Sequence, residues 1–351
     1  MKPLLLLSLL ASITRGGIIT LAHPSEVLPE QGTVVWSPLF QATWDKLNGE
    51  LGGKPSKVEP PNDLMAKLDS FKWQTDNVMP EGSWKTWSGP ATYGFLKKVN
   101  TEAAELTKQA QGPFSLSQED PAGRAAFGLL DRDVAFRKQF IRSRKHPMIF
   151  RTGGMEHAVQ FFGARDERSA LLADTVRVLA YRPVDRSHAI QIPCKDADDT
   201  VILYHPPKAQ DFITACAWLR AWREQFKPDK DQTGKWNDPM LRSSDEIRIP
   251  YIDLESNADL VSKLGGTRHY GKTPWTIIRA EQLTRFHLHE KGARVHAEVS
   301  LAASFGDVDP FSESRRFIYD RPFFVFLWRD GAEWPYFGAW IGDVTALKAF
   351  P

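Results

Sequence analysis

The chain has 351 residues, with 45 Lys and Arg against 43 Asp and Glu and a formal net charge of +2. That balance lacks the bulk electrostatic signature of a nucleic-acid partner, and two cysteines cannot make a disulfide-built scaffold. One large domain or two small ones of this length can each bury a sizeable core.

Lys2 is followed by an apolar run, Pro3 to Ile13. A basic start and a run too short to span a bilayer predict a secretory leader over 1–22, with cleavage after Ala22. The remainder, 23–351, is expected to be one exported domain, secreted or periplasmic, with no membrane partner. Cys194 and Cys216 are either a single bridge or two small buried thiols.

Gly32 to Phe40 predicts a strand running into a Ser37-Pro38 helix start, and Gln41 to Leu47 continues as an amphipathic helix. Between Gly52 and Gly89 the pattern supports one helix, Asn62 to Phe71, and a polar helix is predicted over Asn100 to Gln111. Arg137, Lys138, Arg142, Arg144 and Lys145 form a basic cluster, read either as a polyanion patch or as a solvated face. Val176 to Tyr181 alternates as a strand. Ala189 to Cys194 and Thr200 to Pro206 make a hairpin about a turn carrying Asp196, Asp198 and Asp199. An apolar stripe of Phe212, Ala215, Cys216, Leu219, Trp222 and Phe226 predicts a helix. Glu246 to Ser256 reads as a strand, followed by a helix at Asp259 to Gly265.

The most informative stretch is the last seventy residues. From Ala293 the chain alternates, with Ala293, Val295, Ala297 and Val299 on one side and Arg294, His296, Glu298 and Ser300 on the other. It then enters an aperiodic polar stretch, Ser304 to Arg316, of a length that is usually functional or disordered. Phe317 to Trp328 follows as an apolar run, read as a strand buried on both faces. A strand, a long loop and a buried strand describe a presented peptide.

Glu290-Lys291-Gly292 followed by small residues resembles the hinge of the serpin reactive-centre loop. Asp320-Arg321-Pro322-Phe323 is similar to the segment after that loop, and Tyr336 to Asp343 to the final strand of that family. The resemblance covers about the last two hundred residues well and thins in a compressed N-terminal third. It implies an α+β single domain with a large central β-sheet, smaller barrel-like sheets, helices packed behind and an exposed loop near the C-terminus. It further implies a monomeric serine protease inhibitor without a cofactor, whose cut loop inserts into the central sheet. The alternative on the same fold is a non-inhibitory binding or scaffold protein. The hinge would comprise Glu290, Gly292, Ala293, Val295, Ala297 and Val299. The scissile bond would lie near Gly306-Asp307 or Phe311-Ser312, in a region also holding Phe305 and Pro310. The chain departs from the family's pattern at Phe40, where a second Ser is usual, at Gln282, where a His is usual, and at β-branched Val295.

Signatures of catalysis are missing from the sequence: it contains no Gly-rich phosphate loop, GxSxG, HExxH or CxxC. His287 and His289 share a strand face near His296 but lack an accompanying Cys or carboxylate set, so no metal site is predicted.

Overall fold

The structure is a computed structural model that describes residues 17–29, 31–196, 198–224, 238–293 and 314–351. Two large sheets organise it. The first has seven strands: β1 (Ile19–Leu21), β2 (Thr33–Trp36), β22 (Phe337–Ile341), β21 (Phe323–Arg329), β13 (Asp199–His205), β12 (Ser187–Pro193) and β11 (Arg177–Arg182), in that order. Only the β1–β2 pair is parallel. Its middle strands are covered on both faces, which is why β13 and β21 read as near-continuous apolar runs rather than alternating ones.

The second large sheet has six strands: β4 (Trp84–Ala91), β5 (Asp120–Leu130), β18 (Ile277–His289), β19 (Gly292–Ala293) and β6 (Val134–Ala135), with β15 (Ile252–Asp259) beside β18. A four-stranded sheet contains β20 (Arg316–Ile318), β14 (Glu246–Pro250), β10 (Phe161–Ala164) and β7 (Ile141–Arg142). Smaller sheets are formed by β17 (Thr273–Trp275), β16 (Thr267–Tyr270) and β3 (Lys57–Glu59), and by β8 (Met148–Thr152) with β9 (Met155–Val159).

The helices are α1 (Leu39–Glu50), α2 (Asp63–Ser70), α3 (Thr75–Val78), α4 (Tyr93–Thr107), α5 (Glu167–Leu172) and α6 (Phe212–Glu224). Local chemistry sets several of their ends. Ser37 Oγ accepts from the Leu39 amide at the start of α1 and donates to the Tyr336 carbonyl at 2.7 Å, tying the helix to the seven-stranded sheet. Asn62 Oδ1 accepts from the Met65 amide at 3.0 Å to cap α2. Thr92 caps α4 through the Phe95 amide, and Lys108, at φ 54°, ends it in the left-handed conformation. No helix among the described residues is long and apolar enough to cross a membrane.

The hairpin at 187–205, the helix from Phe212 and the Ser-Pro helix start stand where the sequence places them. Other elements differ. The polar helix begins at Tyr93 rather than Asn100 and ends at Thr107, because Thr92 supplies the cap. The run from Phe317 to Trp328 is two strands in different sheets, β20 and β21, separated by Tyr319 to Pro322. The strand read over Glu246 to Ser256 likewise divides at Tyr251, and the helix expected after it is a 3-10 turn, Val261–Leu264. The compressed region 52–89 also contains β3, α3 and β4. Within the expected leader, Ile19–Leu21 is a paired strand with Leu21 buried, so a cut after Ala22 would remove an edge of the seven-stranded sheet. Cys194 and Cys216 are two buried free thiols, and burial pushes both well above their ordinary pKa.

Candidate functional site

β18 is the element on which the site is built. Along one edge it pairs antiparallel with all of β15, Ile252↔Leu288 through Asp259↔Glu281. Its other edge is shared between two partners. From Ile277 to Thr284 it pairs in parallel with β5, Arg124 to Leu130. At its upper end Leu288 and His289 pair antiparallel with Ala293 and Gly292 of β19. Those two residues pair in turn with Val134 and Ala135 of β6, which continues the chain of β5. Gly292 and Ala293 are therefore a two-residue wedge between the upper ends of two strands that touch directly lower down.

Gly292 makes the wedge sterically feasible. Its φ of 135° suits glycine, and a Cβ there would collide with the Val134 carbonyl oxygen. The wedge is also tied from the side. Phe136 and Phe140 amides donate to the Lys291 and Glu290 carbonyls at 2.8 and 2.9 Å. Tyr251 Oη donates to Glu290 Oε2 at 2.5 Å, and burial followed by the Glu290 carboxylate pushes the phenol pKa up.

Below the wedge the parallel β5–β18 seam lies between two apolar layers. On one face Phe127, Leu129 and Leu283 pack with Val99 and Ala103 of α4. On the other, Leu39 and Thr43 of α1 press against Gly128, where a Cβ would lie 2.7 Å from Thr43 Oγ1. Gln282, opposite Gly128, is buried and donates from Nε2 to Thr284 Oγ1 at 3.1 Å. Phe40 turns away from the seam into a separate cluster with Trp44, Leu47, Met65 and Leu68.

On the far side of residues 294–313, Arg315 is 1% exposed. Its guanidinium pairs with buried Asp245 at 2.7 Å and also donates to the Asp238 and Met240 carbonyls. Its own amide donates to Asp245, and Arg316–Ile318 continues as β20 beside β14. Buried, multiply bonded Arg–carboxylate geometry of this kind holds a chain segment firmly, since separating the partners strands a charge.

Of the hinge residues named from sequence, the structure brings Glu290, Gly292 and Ala293 to the wedge. Val295, Ala297 and Val299, and the scissile candidates Phe305, Gly306, Asp307, Pro310, Phe311 and Ser312, lie outside the described residues. In the basic stretch Arg137 donates to the Cys194 carbonyl, Lys138 pairs with Asp174, and Arg142 lies over the Tyr251 ring, while Arg137, Arg142, Arg144 and Lys145 are all exposed. His287 pairs with Asp253 at 2.6 Å, and no group of metal-binding side chains occurs among the described residues.

Sequence reasoning missed three participants. β5 is rich in Ala and Gly and lacks the β-branched residues that mark strands. Arg132, at the upper end of β5, bonds Asp199 at 2.8 Å and also pairs with Asp196, so the turn aspartates bind the neighbouring sheet to the seam. Burial pushes the Asp199 carboxyl up against the pull of Arg132, whereas the Arg132 hydrogen bond holds Asp196 low. The third is Asp245, the partner of Arg315; seventy residues separate that pair, and no local pattern signals it.

No protein-family model and no curated protein sequence matches the chain. Solved structures do. The native state of tengpin, a thermophilic serpin, is similar with a TM-score of 0.58 at 11% identity, covering 92% of this chain and 91% of that one. Human glycosylated kallistatin gives 0.55 at 13% identity, covering 89% and 92%. Human thyroxine-binding globulin, in complex with its hormone, gives 0.53 at 11% identity, covering 89% and 92%. With the wedge, the seam and the anchored strand β20 in place, the chain has the serpin fold.

Proposed function

We propose that the protein inhibits a serine-type endopeptidase, offering the chain between Ala293 and Ser314 as bait and inserting its cut N-terminal portion between β5 and β18. One observation supports this above the others: the register of the wedge. Ala293 faces Leu288 on one side and Val134 on the other. Counted onward at that register, Ala297 would fall between Thr284 and Leu130, and Val299 between Gln282 and Gly128. These are residue pairs that already face each other across the seam. A strand continuing from β19 would thus meet both neighbours in step, gaining ladder partners on both edges.

The chemistry begins with attack of the protease serine on a loop carbonyl. The bond to the leaving amine breaks, and an ester joins enzyme and bait. Insertion would then carry the tethered enzyme along the sheet before water reaches the ester. The same register puts residue 303 level with Arg124 at the last rung of the seam. The scissile bond therefore belongs beyond Ala303, in the Phe305–Ser312 region. The new C-terminal fragment would stay in place through Arg315 and Asp245. In this proposal the protein acts outside the cell as a monomer, with a leader ending before Ile18 so that β1 is kept. Arg137, Lys138, Arg142, Arg144 and Lys145 are offered to a polyanion.

The test uses Val295→Arg with Ala297→Arg, since both positions would face α1 after insertion. Burying two unpaired charges costs several kcal/mol each, roughly, even after relaxation. Trypsin-, chymotrypsin- and subtilisin-like proteases are each mixed with both proteins and run on a denaturing gel. The wild type is expected to give a covalent complex, and the variant to be cleaved as a substrate. Equal complex from both, or none from the wild type with any of the three classes, contradicts insertion.

A second reading, a non-inhibitory binding protein, is favoured by a cleft of about 440 Å³ beside α6, lined by Arg177, Arg220 and Arg223 together with Glu224, Asp330 and Glu333. The likeness to a hormone-bound globulin accords with it. Under that reading both proteins are cleaved and neither forms a complex.

A further inference from the structure

A separate cavity of about 220 Å³ opens where the seven-stranded sheet meets the segment after the loop. His188 of β12 and His205 of β13 form its floor, with ring centroids 5.3 Å apart. Tyr181, Pro183 and Ile318 give it an apolar wall, and Arg186, Arg316 and Arg321 surround it.

The charges in this cavity are unbalanced. Three guanidiniums line it against one carboxylate, Asp320. Asp320 is engaged elsewhere, accepting from Arg151 at 2.9 Å, while Arg321 stands 3.9 Å from it. Arg316 reaches Glu246 only at 3.5 Å, and Glu246 also holds Arg248 at 2.5 Å. Arg186 has no acidic partner among the described residues. A guanidinium has five donors and no acceptor, so this lining has donor capacity to spare for an oxyanion.

The floor carries the opposite need. His188 Nδ1 lies 2.8 Å from the Arg186 carbonyl, which can only accept, so Nδ1 carries the proton. Nε2 then offers a lone pair, and it is buried without a hydrogen-bond partner among the described residues. Burial, followed by the neighbouring His205, lowers the His188 pKa to about 3, so the ring is neutral near pH 7. A buried acceptor without a donor is costly.

We propose that this cavity binds a small hydroxylated carboxylate, its carboxyl group held by the arginines and its hydroxyl donated to His188 Nε2. The apolar wall suits a short hydrocarbon or ring between the two groups. The site is independent of whether the loop inserts.

Calorimetric titration of the intact protein with 4-hydroxybenzoate and benzoate, at matched ionic strength, tests this. Saturable binding of 4-hydroxybenzoate is expected, with benzoate about tenfold weaker for want of the hydroxyl. Arg186→Gln combined with Arg321→Gln should weaken both about tenfold or more, whereas exposed Lys72→Gln should leave both unchanged. Because His188 is buried, its Nε2 is followed in the wild-type protein by nitrogen NMR, where 4-hydroxybenzoate should shift the resonance and benzoate should not. Failure of both probes to saturate, equal affinity for the two, an unmoved Nε2 resonance, or the same loss in Lys72→Gln overturns the proposal.

Discussion

Gln282 faces Gly128 across the parallel seam, and a Cβ at 128 would lie 2.7 Å from Thr43 Oγ1 and 3.1 Å from Leu39 Cγ. The seam is therefore fitted to α1 to within one methyl group. Gly128→Ala is expected to destabilise the protein by about 1–3 kcal/mol through overpacking. Thr43→Ala alone loses the hydrogen bond to the Leu39 carbonyl, about 1 kcal/mol. Since Thr43→Ala also removes the clashing oxygen, the double variant should be more stable than the two single losses added together. Urea unfolding of the four proteins checks the coupling, and strict additivity would contradict the close fit.

Gly292 is the second position at which a methyl group matters, because its φ of 135° and the nearby Val134 carbonyl both exclude a side chain. Gly292→Ala should cost about 1–3 kcal/mol and withdraw Gly292 and Ala293 from the sheet. Amide exchange at Phe136 and Phe140, which donate to the Lys291 and Glu290 carbonyls, should quicken while exchange in β13 stays slow. Unchanged protection at both phenylalanines would show that the wedge does not depend on Gly292.

The buried histidines set an acid limit to stability. His188 and His23 are held down to about 3 and about 4, chiefly by burial, and His205 is lowered for the same reason. Their ordinary value is near 6.5, so below that pH the unfolded chain binds protons that the folded chain refuses. The stability these rings contribute is full above about pH 6.5 and is lost as pH falls toward about 3. His188→Phe should flatten the decline in the urea midpoint between pH 7 and 5, roughly the upper part of that window. A decline as steep as that of the wild type would remove His188 from the account.

The N-terminal boundary is open to a direct check. Thr20 Oγ1 shares a 2.7 Å hydrogen bond with Ser256, Lys263 donates to the Thr20 carbonyl, and Leu21 is buried. Deleting residues 1–22 should cost about 2–4 kcal/mol relative to deleting 1–16, from lost apolar burial and hydrogen bonds. Equal melting temperatures for the two truncations would show that β1 contributes nothing to the folded domain.

Legibility in the sequence followed the physics of each element. β12, β13 and α6 were readable because burial imposes a local period or an unbroken apolar run on them. β5 was not, because its composition answers to α1 beneath it: Gly128 is there for Thr43 and Leu39, eighty-odd residues earlier in the chain. The hinge motif pointed to Glu290, Gly292 and Ala293, but neither its hold on Tyr251 nor the anchor between Asp245 and Arg315 leaves a local pattern. The breaks between sheets at Tyr251 and at Tyr319 to Pro322 fall at Pro250 and at Asp320-Arg321-Pro322, but the apolar runs on either side of them obscured the change of sheet.

The central claim is that the strand begun at Ala293 completes itself between β5 and β18 once the loop is cut. The direct measurement is the melting temperature of the intact protein and of the same protein cleaved once between Ser304 and Ser314. A completed strand adds ladder hydrogen bonds on both edges and buries Val295, Ala297 and Val299, so the cleaved protein should melt many degrees higher. Val295→Arg with Ala297→Arg should lose that gain while the intact variant melts near the wild type. A melting temperature left unchanged or lowered by the cut would contradict insertion and leave the binding function.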